Sequence, residues 1–96
     1  MYSDISIYRL KSVVDNGILI DIRDEEVFNK GHISKAINIP IYKLLSDPSF
    51  YLDEKKTYYI YCANGSSSKY ACKMLAQKGY TVFNVVGGYK QWLLEK

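Results

Sequence analysis

Cysteine and histidine are scarce in this sequence, and their scarcity excludes two kinds of scaffold. Only Cys62, Cys72 and His32 represent them among the 96 residues. Two cysteines are too few for a fold held together by disulfides. With a single histidine, they also fall short of the ligand set of a structural zinc site. We therefore expect a protein without metal or cofactor, whose chemistry depends on a few side chains.

Long apolar runs and dense basic stretches are missing too. No run approaches the ~20 residues that a membrane-spanning helix needs, and Met1–Asp4 lacks the basic and apolar regions that begin a signal peptide. Lysine and arginine total 13 against 10 acidic residues, for a net charge of +3, and only Arg9 and Arg23 are arginine. A nucleic-acid-binding surface is denser in basic residues and richer in arginine. We expect a cytoplasmic protein that binds neither nucleic acid nor membranes.

The rest of the composition is typical of one folded domain. Hydrophobic residues make up 48% and charged residues 24%, close to the average for globular proteins. The length suits one domain, and no repeat, low-complexity tract or linker divides it. We expect a single domain over residues 1–96, present as a monomer.

Short helices and short apolar strands alternate along the chain. Helices are predicted over Ile7–Asp15, Glu25–Lys30, Ser67–Lys78 and Tyr89–Glu95, with a helical turn at Ile41–Leu45. Strands are predicted over Ile18–Ile22, Ala36–Ile39, Thr57–Tyr61 and Val82–Val86. Nearly unbroken apolar strands are typical of a parallel sheet buried on both faces. The alternation predicts an α/β domain with a mostly parallel sheet.

Caps and turns mark the ends of these elements. Ser6 is predicted to cap the first helix, and Asn16–Gly17 to end it with a left-handed residue. Asp24 is predicted to cap the second helix. Asp47–Ser49 reads as a turn, after which Phe50–Leu52 is predicted to pack onto the core.

Cys62 stands where a buried strand ends and a polar loop leads into a helix. The loop residues are Ala63, Asn64, Gly65, Ser66, Ser67 and Ser68. Consecutive N–H groups of such a loop can form a nest for an anion, and the helix start adds about half a positive charge. Both effects favour a thiolate, so we expect the pKa of Cys62 to lie below its usual ~8.5. The alternative is a small, buried and unreactive cysteine at a strand end.

Four motifs follow one another in a recognisable order. They are Leu19–Arg23, Gly31–Ile33 leading into Ala36–Pro40, Tyr59–Cys62 with its loop, and Val85–Trp92. In this order and at these spacings, the chain resembles a single-domain rhodanese, a member of a family of sulfurtransferases. The resemblance implies a five-stranded, mostly parallel sheet flanked by helices on both faces.

The resemblance also implies a chemistry. Cys62 would attack the outer sulfur of a donor, either thiosulfate or a persulfide, and become a persulfide itself. A thiol, a protein or cyanide would then accept that sulfur. The backbone of Ala63–Ser67 would act as the anion cradle, with the hydroxyl groups of the loop as further donors. The loop from Cys62 to Ser67 has the length of a sulfurtransferase loop, whereas the related dual-specificity phosphatases carry one more residue.

One departure from the family pattern bears on the donor. Many members follow Cys-x-x-Gly-x-Arg, and Ser67 holds the position of that arginine. Its loss removes a fixed positive charge and a bidentate donor. Lys69 could substitute only as a flexible point charge. The departure makes a persulfide as good a candidate donor as thiosulfate, and it keeps open a second hypothesis, a non-catalytic rhodanese-fold interaction or regulatory module.

The remaining candidates are interpreted as supporting groups. Asp21 and Arg23 are predicted to form a structural ion pair near the loop, and His32 to anchor its own loop. Cys72 is predicted to be a buried inert thiol rather than a resolving cysteine. Gly87 is predicted to begin a tight turn next to the cysteine loop.

Overall fold

The computed structural model describes residues 1–96 as one sheet with helices around it. The strands are β1 (Ser3–Ile5), β2 (Ile18–Asp21), β3 (Ile37–Asn38), β4 (Thr57–Tyr61) and β5 (Thr81–Val85). The helices are α1 (Ile7–Val13), α2 (Glu25–Lys30), α3 (Ile41–Ser46), α4 (Pro48–Tyr51), α5 (Ser66–Gln77) and α6 (Gly88–Glu95). A 3₁₀ turn, Val14–Asn16, follows α1. None of these helices is long and apolar enough to cross a membrane.

The sheet has the order β1-β5-β4-β2-β3, and every neighbouring pair is parallel. Parallel neighbours need crossover connections, which the helices supply. The predicted α/β fold is therefore confirmed, with a sheet that is parallel throughout. The central strand β4 ends at Tyr61, so the sheet delivers Cys62 to the middle of its carboxyl edge.

Two apolar clusters cover the two faces of the sheet. Tyr58 and Ile60 of β4 pack on one side with Leu75 of α5, and Tyr59 and Tyr61 pack on the other side, against α1 and α6. All four of these β4 side chains are at most 5% exposed. Helices on both faces explain why the predicted strands read as continuous apolar runs rather than alternating ones.

Strand β1 does not appear in the sequence pattern. Ser3 and Asp4 are exposed and only Ile5 is buried, so these residues carry no strand-like apolar signal. They are extended because β5 offers them a parallel partner, with Asp4 opposite Asn84. The strand thus brings an acidic side chain beside the buried Asn84.

The end of α1 differs from the sequence prediction. Ser6 does cap the helix, since its Oγ accepts the Arg9 N–H at 3.1 Å. Gly17, however, is extended, with φ −158°, rather than left-handed. A Cβ at Gly17 would lie 2.7 Å from a Tyr59 ring carbon and 2.8 Å from the Thr57 carbonyl oxygen. The glycine is therefore required for close packing against β4, not for a turn angle.

Two further predictions are corrected beyond α3. Asp47–Ser49 is not a simple turn, because Pro48 begins the short helix α4, a position that suits a residue without an N–H. Leu52 packs into the core, whereas Phe50 is 75% exposed.

The start of α2 agrees with the sequence prediction only in part. Asp24 precedes α2 as predicted, but its side chain makes no capping hydrogen bond.

Candidate active site

The backbone around Cys62 is fixed by the start of α6. The carbonyl oxygens of Cys62 and Ala63 accept the N–H groups of Tyr89 and Lys90, each at 2.9 Å. A Cβ at Gly88 would lie 2.3 Å from the Cys62 carbonyl oxygen. The glycine is therefore essential to this approach, and the turn between β5 and α6 holds the first two residues of the cysteine loop in place.

The loop wraps its amides around the Cys62 sulfur. The N–H groups of Gly65 and Ser68 point at Sγ, with N···S distances of 3.1 and 3.3 Å. The Ser68 hydroxyl oxygen lies 3.4 Å from the same sulfur. Gly65 has φ +100°, which only glycine adopts without strain. The chain can close around the sulfur because this residue lacks a side chain.

The side chains of the remaining loop residues shape the turn and the cleft. Asn64 Oδ1 accepts the Ser66 N–H at 3.1 Å and the Ser66 hydroxyl at 2.8 Å, which rigidifies the turn before α5. Ala63, Asn64, Ser66 and Ser67 line the cleft above Cys62. Ser68, in contrast, is fully buried beneath it.

The pKa values of the two cysteines are shifted in opposite directions. Burial alone would raise the pKa of the Cys62 thiol, but the hydrogen bonds that its thiolate can accept from the Ser68 hydroxyl and from the amides of Ser68, Gly65 and Asn64 outweigh this effect and hold that pKa below its ordinary value. Cys72 has no such donors, and burial raises its pKa to about 12. Cys62 is therefore the more nucleophilic thiol near neutral pH.

The guanidinium of Arg23 is paired with the Asp21 carboxylate. Its Nε and Nη2 donate to the Asp21 carboxylate at 3.0 and 2.7 Å, and Nη2 also donates to the Gly31 carbonyl at 2.7 Å. The guanidinium carbon lies 4.3 Å from the centre of the Tyr89 ring. The Asp21 side chain is 0% exposed. This ion pair ties β2 to the loop before Ile33 and to α6.

An open cleft of about 380 Å³ lies over the sulfur. Its lining residues come from the ends of β2 and β4 and from α2, α3 and α5: Ile22, Arg23, Asp24, Val27, Ile41, Cys62, Ala63, Asn64, Ser66 and Ser67. The only cation among them is the paired Arg23, and Asp24 contributes a negative charge. Lys69 lines a separate groove beside Met1 and Tyr2, so it does not occupy the place of the absent arginine.

The other candidates lie outside this cleft. His32 stacks on Phe28 with ring centres 3.8 Å apart, and its Nδ1 lies 2.9 Å from the Phe28 carbonyl oxygen. Cys72 is completely buried in the core. Gly87 lies behind the loop, where a Cβ on Gly65 would come within 3.1 Å of its nitrogen. No group of three or more His, Cys, Asp or Glu side chains is arranged to hold a metal ion.

Asn84 and Asp4 lie near the site but are not among the site residues predicted from the sequence. The Ser68 hydroxyl lies 2.6 Å from Asn84 Oδ1, and Asn84 Nδ2 lies 3.0 Å from Asp4 Oδ1. Asn84 interrupts the apolar run Val82–Val86, and this is the one signal that could have drawn attention to it. Asp4 gives no such signal, because its position depends on the pairing of β1 with β5.

Comparisons with known proteins agree with the fold. A model of the rhodanese-like domain matches residues 6–95. A tRNA sulfurtransferase from Thermoplasma acidophilum is 33% identical over 86 residues, covering 88% of this chain but 17% of that protein. Thiosulfate sulfurtransferase GlpE from Coxiella burnetii is 29% identical over 76 residues, covering 78% of this chain and 70% of that protein. The crystal structure of a rhodanese-related protein from Thermoplasma volcanium is 31% identical, with TM-score 0.91, over 98% of this chain and 93% of that one.

Proposed function

This chain belongs to the rhodanese-like domain family, and we propose that it is a sulfurtransferase that carries a sulfane sulfur on Cys62. The observation that carries the proposal is the pair of backbone N–H groups, from Gly65 and Ser68, that converge on the sulfur. Such donors stabilise a thiolate, the form of cysteine that acts as a nucleophile. The cleft above the sulfur gives a donor access to it.

In the first half-reaction, the Cys62 thiolate attacks the outer sulfur of a persulfide or of thiosulfate. A new sulfur–sulfur bond forms on Cys62 as the donor bond breaks, and the donor leaves as a thiolate or as sulfite with the electron pair of the broken bond. In the second half-reaction, a thiolate or cyanide acceptor attacks the outer sulfur of the Cys62 persulfide. The Cys62 thiolate is regenerated, and neither half-reaction needs an external oxidant or reductant.

The charges of the cleft favour a persulfide as the donor, on a small thiol or on a partner protein. Thiosulfate carries two negative charges, and the cleft offers it Ser67 in place of arginine, a paired Arg23 and the negative Asp24. A persulfide carries one charge, so it loses less from the absent cation. The relative named thiosulfate sulfurtransferase makes thiosulfate the natural donor for comparison.

Intact-mass measurement tests the proposal directly. The protein is incubated with a small-molecule persulfide or with thiosulfate, and we expect a mass gain of one sulfur atom that cyanide removes. The gain should vanish in Cys62→Ser and persist in Cys72→Ser. No adduct with either donor in the folded protein would overturn the proposal and favour the non-catalytic interaction module.

A further inference from the structure

A row of hydrogen bonds, buried at Ser68 and Asn84, connects the Cys62 sulfur to the edge strand β1. Ser68 Oγ lies 3.4 Å from the sulfur and 2.6 Å from Asn84 Oδ1. Asn84 Nδ2 in turn lies 3.0 Å from Asp4 Oδ1. Ser68 is 0% and Asn84 4% exposed, so water cannot readily replace these partners. The hydrogen bond that Asp4 makes with Asn84 is therefore linked, through Ser68, to the hydrogen bonding of the nucleophile.

The chemistry of the end groups fixes the direction of each hydrogen bond. An ionised carboxylate only accepts, so Asp4 must receive a proton of the Asn84 amide nitrogen. This orients the amide oxygen of Asn84 toward Ser68. Two oxygens 2.6 Å apart need a proton between them, and only the Ser68 hydroxyl has one to give. The hydroxyl proton therefore points at Asn84, away from the sulfur.

The Ser68 oxygen consequently presents lone pairs to Cys62. In this arrangement it accepts a hydrogen bond from the Cys62 thiol, which stabilises the protonated form. When the thiol ionises, the hydroxyl can turn toward the sulfur only by leaving Asn84. The amide oxygen of Asn84 then lacks a donor in a buried position, which is unfavourable. Three acceptors surround this one proton: the Asn84 oxygen at 2.6 Å, the Gly65 carbonyl oxygen at 3.3 Å and the sulfur at 3.4 Å. The Asn84 oxygen is the nearest of them.

We propose that Asp4 and Asn84 are positioning residues that hold the Ser68 hydroxyl proton away from Cys62 and so limit how readily its thiolate forms. The proposal rests on the proposed function only in taking Cys62 as the nucleophile. The other ionisable groups around Cys62 are Cys72 below it and, at the rim of the cleft, Asp24 and the paired Arg23. None of these three contacts the Ser68 hydroxyl.

The pH profile of Cys62 alkylation tests this role without any sulfur transfer. Iodoacetamide is the probe, and peptide mass spectrometry separates Cys62 from Cys72. Asn84→Leu keeps the branched shape of the side chain and the Asp4 charge but removes the nearest competing acceptor. We expect its profile to shift to lower pH, with alkylation below the midpoint faster by about 3- to 10-fold, as for a fall of about half to one pKa unit. An unchanged profile, or one shifted to higher pH, would overturn the proposal.

A double-mutant cycle shows whether the hydroxyl transmits the effect. Ser68→Ala removes the hydroxyl proton whose position Asn84 is proposed to control. The double variant Ser68→Ala with Asn84→Leu should therefore have the same alkylation pH profile as Ser68→Ala alone. A shift that persists in the Ser68→Ala background would mean that Asn84 acts by another route, contrary to the proposal.

Asp4→Asn provides a variant at an exposed position, so it decides the matter if Asn84→Leu does not fold. The new amide can donate to Asn84, whose side chain then turns and donates to Ser68, freeing the hydroxyl for the sulfur. Loss of a negative charge would act in the same direction, but salt screens that effect. We expect the acceleration to survive at about 1 M salt and to be absent in Asp15→Asn, which removes an exposed charge before β2. An acceleration that salt abolishes, or that Asp15→Asn reproduces, would overturn the proposal.

Failure of this proposal is distinguishable from failure of the proposed function. If the alkylation shifts occur but no sulfur adduct forms, the positioning role stands and the sulfurtransferase assignment is wrong. If the sulfur adduct forms but the alkylation profiles do not shift, the sulfurtransferase assignment stands and the positioning role is wrong.

Discussion

Gly65 donates its N–H to the sulfur of Cys62 across 3.1 Å while its α-carbon packs against the backbone of Gly87. The first contact helps to set the acidity of the nucleophile, and the second would place a Cβ only 3.1 Å from the Gly87 nitrogen. Gly65 therefore couples the shape of the loop to the turn that begins α6.

This coupling predicts the effect of Gly65→Ala. Its φ of +100° is unfavourable for alanine, and the new Cβ would lie 3.1 Å from the Gly87 nitrogen. We expect a loss of unfolding free energy of about 1–3 kcal/mol and slower alkylation of Cys62, measured by urea unfolding and mass spectrometry. Gly79→Ala is the matched control, with φ +98° and only the flexible Glu54 side chain nearby. It should lose stability without slowing alkylation, and equal slowing in both variants would contradict this role of Gly65.

Restoring the missing cation should change the choice of donor. We expect Ser67→Arg to raise kcat/KM for thiosulfate by about 10-fold, equivalent to about 1.4 kcal/mol, because a guanidinium can bind the sulfonate end. A small persulfide should gain less. Ser67→Gln adds length without charge and should show no such gain in a steady-state cyanide assay. A folded Ser67→Arg variant without improved thiosulfate turnover would show that the absent charge does not limit this donor.

The buried ion pair between Asp21 and Arg23 predicts a large effect on stability. Arg23→Met leaves a carboxylate that is 0% exposed without its cation. Breaking a buried pair in this way costs about 3–5 kcal/mol, to be measured as the change in free energy of unfolding in urea. Arg9→Met, at the other arginine, removes an exposed charge and should cost less than about 0.5 kcal/mol. A loss below about 1 kcal/mol for Arg23→Met would mean that the pair contributes little to the fold.

The buried thiol of Cys72 should make the free energy of unfolding decline at alkaline pH. Burial raises its pKa to about 12, whereas the unfolded chain releases this proton near ~8.5. Between these values the native state holds a proton that the unfolded state has lost, so the free energy of unfolding falls by up to about 1.4 kcal/mol per pH unit. Cys72→Ala should flatten this decline in unfolding experiments from about pH 9 to about pH 11.

Cys62→Ala serves as the control for that experiment, because its linkage has the opposite sign. The pKa of Cys62 is lowered in the native state, so its contribution is present above the ordinary pKa and is lost as pH falls through the lowered one. Its removal should leave the alkaline slope unchanged. Equal slopes in wild type and Cys72→Ala would contradict the role given to Cys72.

The sequence predicts best where the signal is local. Strand β4 is predicted at its observed bounds, Thr57–Tyr61, and α5 is predicted one residue late at both ends. The apolar run of β4 is read from neighbours along the chain, and so is the polar loop that follows. The position of Cys62 at the carboxyl edge follows from these two local patterns and the parallel sheet.

Features that depend on distant partners could not be predicted. Asp4 reaches Asn84 only because β1 pairs with β5, and no local pattern marks three residues with two exposed side chains as a strand. Gly17 is extended because of the Tyr59 ring, a contact between separate strands. Lys69 lies one turn into α5, the helix that follows the cysteine loop, yet it lines a groove beside Met1 and Tyr2 rather than the cleft.

The two amides at the start of α6 that clasp the carbonyls of Cys62 and Ala63 have a consequence for biosynthesis. When the ribosome has just added Val86 to the chain, the cysteine and its whole loop have been made, but the amides that hold them have not. The nascent polypeptide therefore carries its future nucleophile without its finished surroundings until Tyr89 and Lys90 have been added. Proteolytic removal of the residues from Tyr89 onward would return a mature molecule to that same unfinished condition.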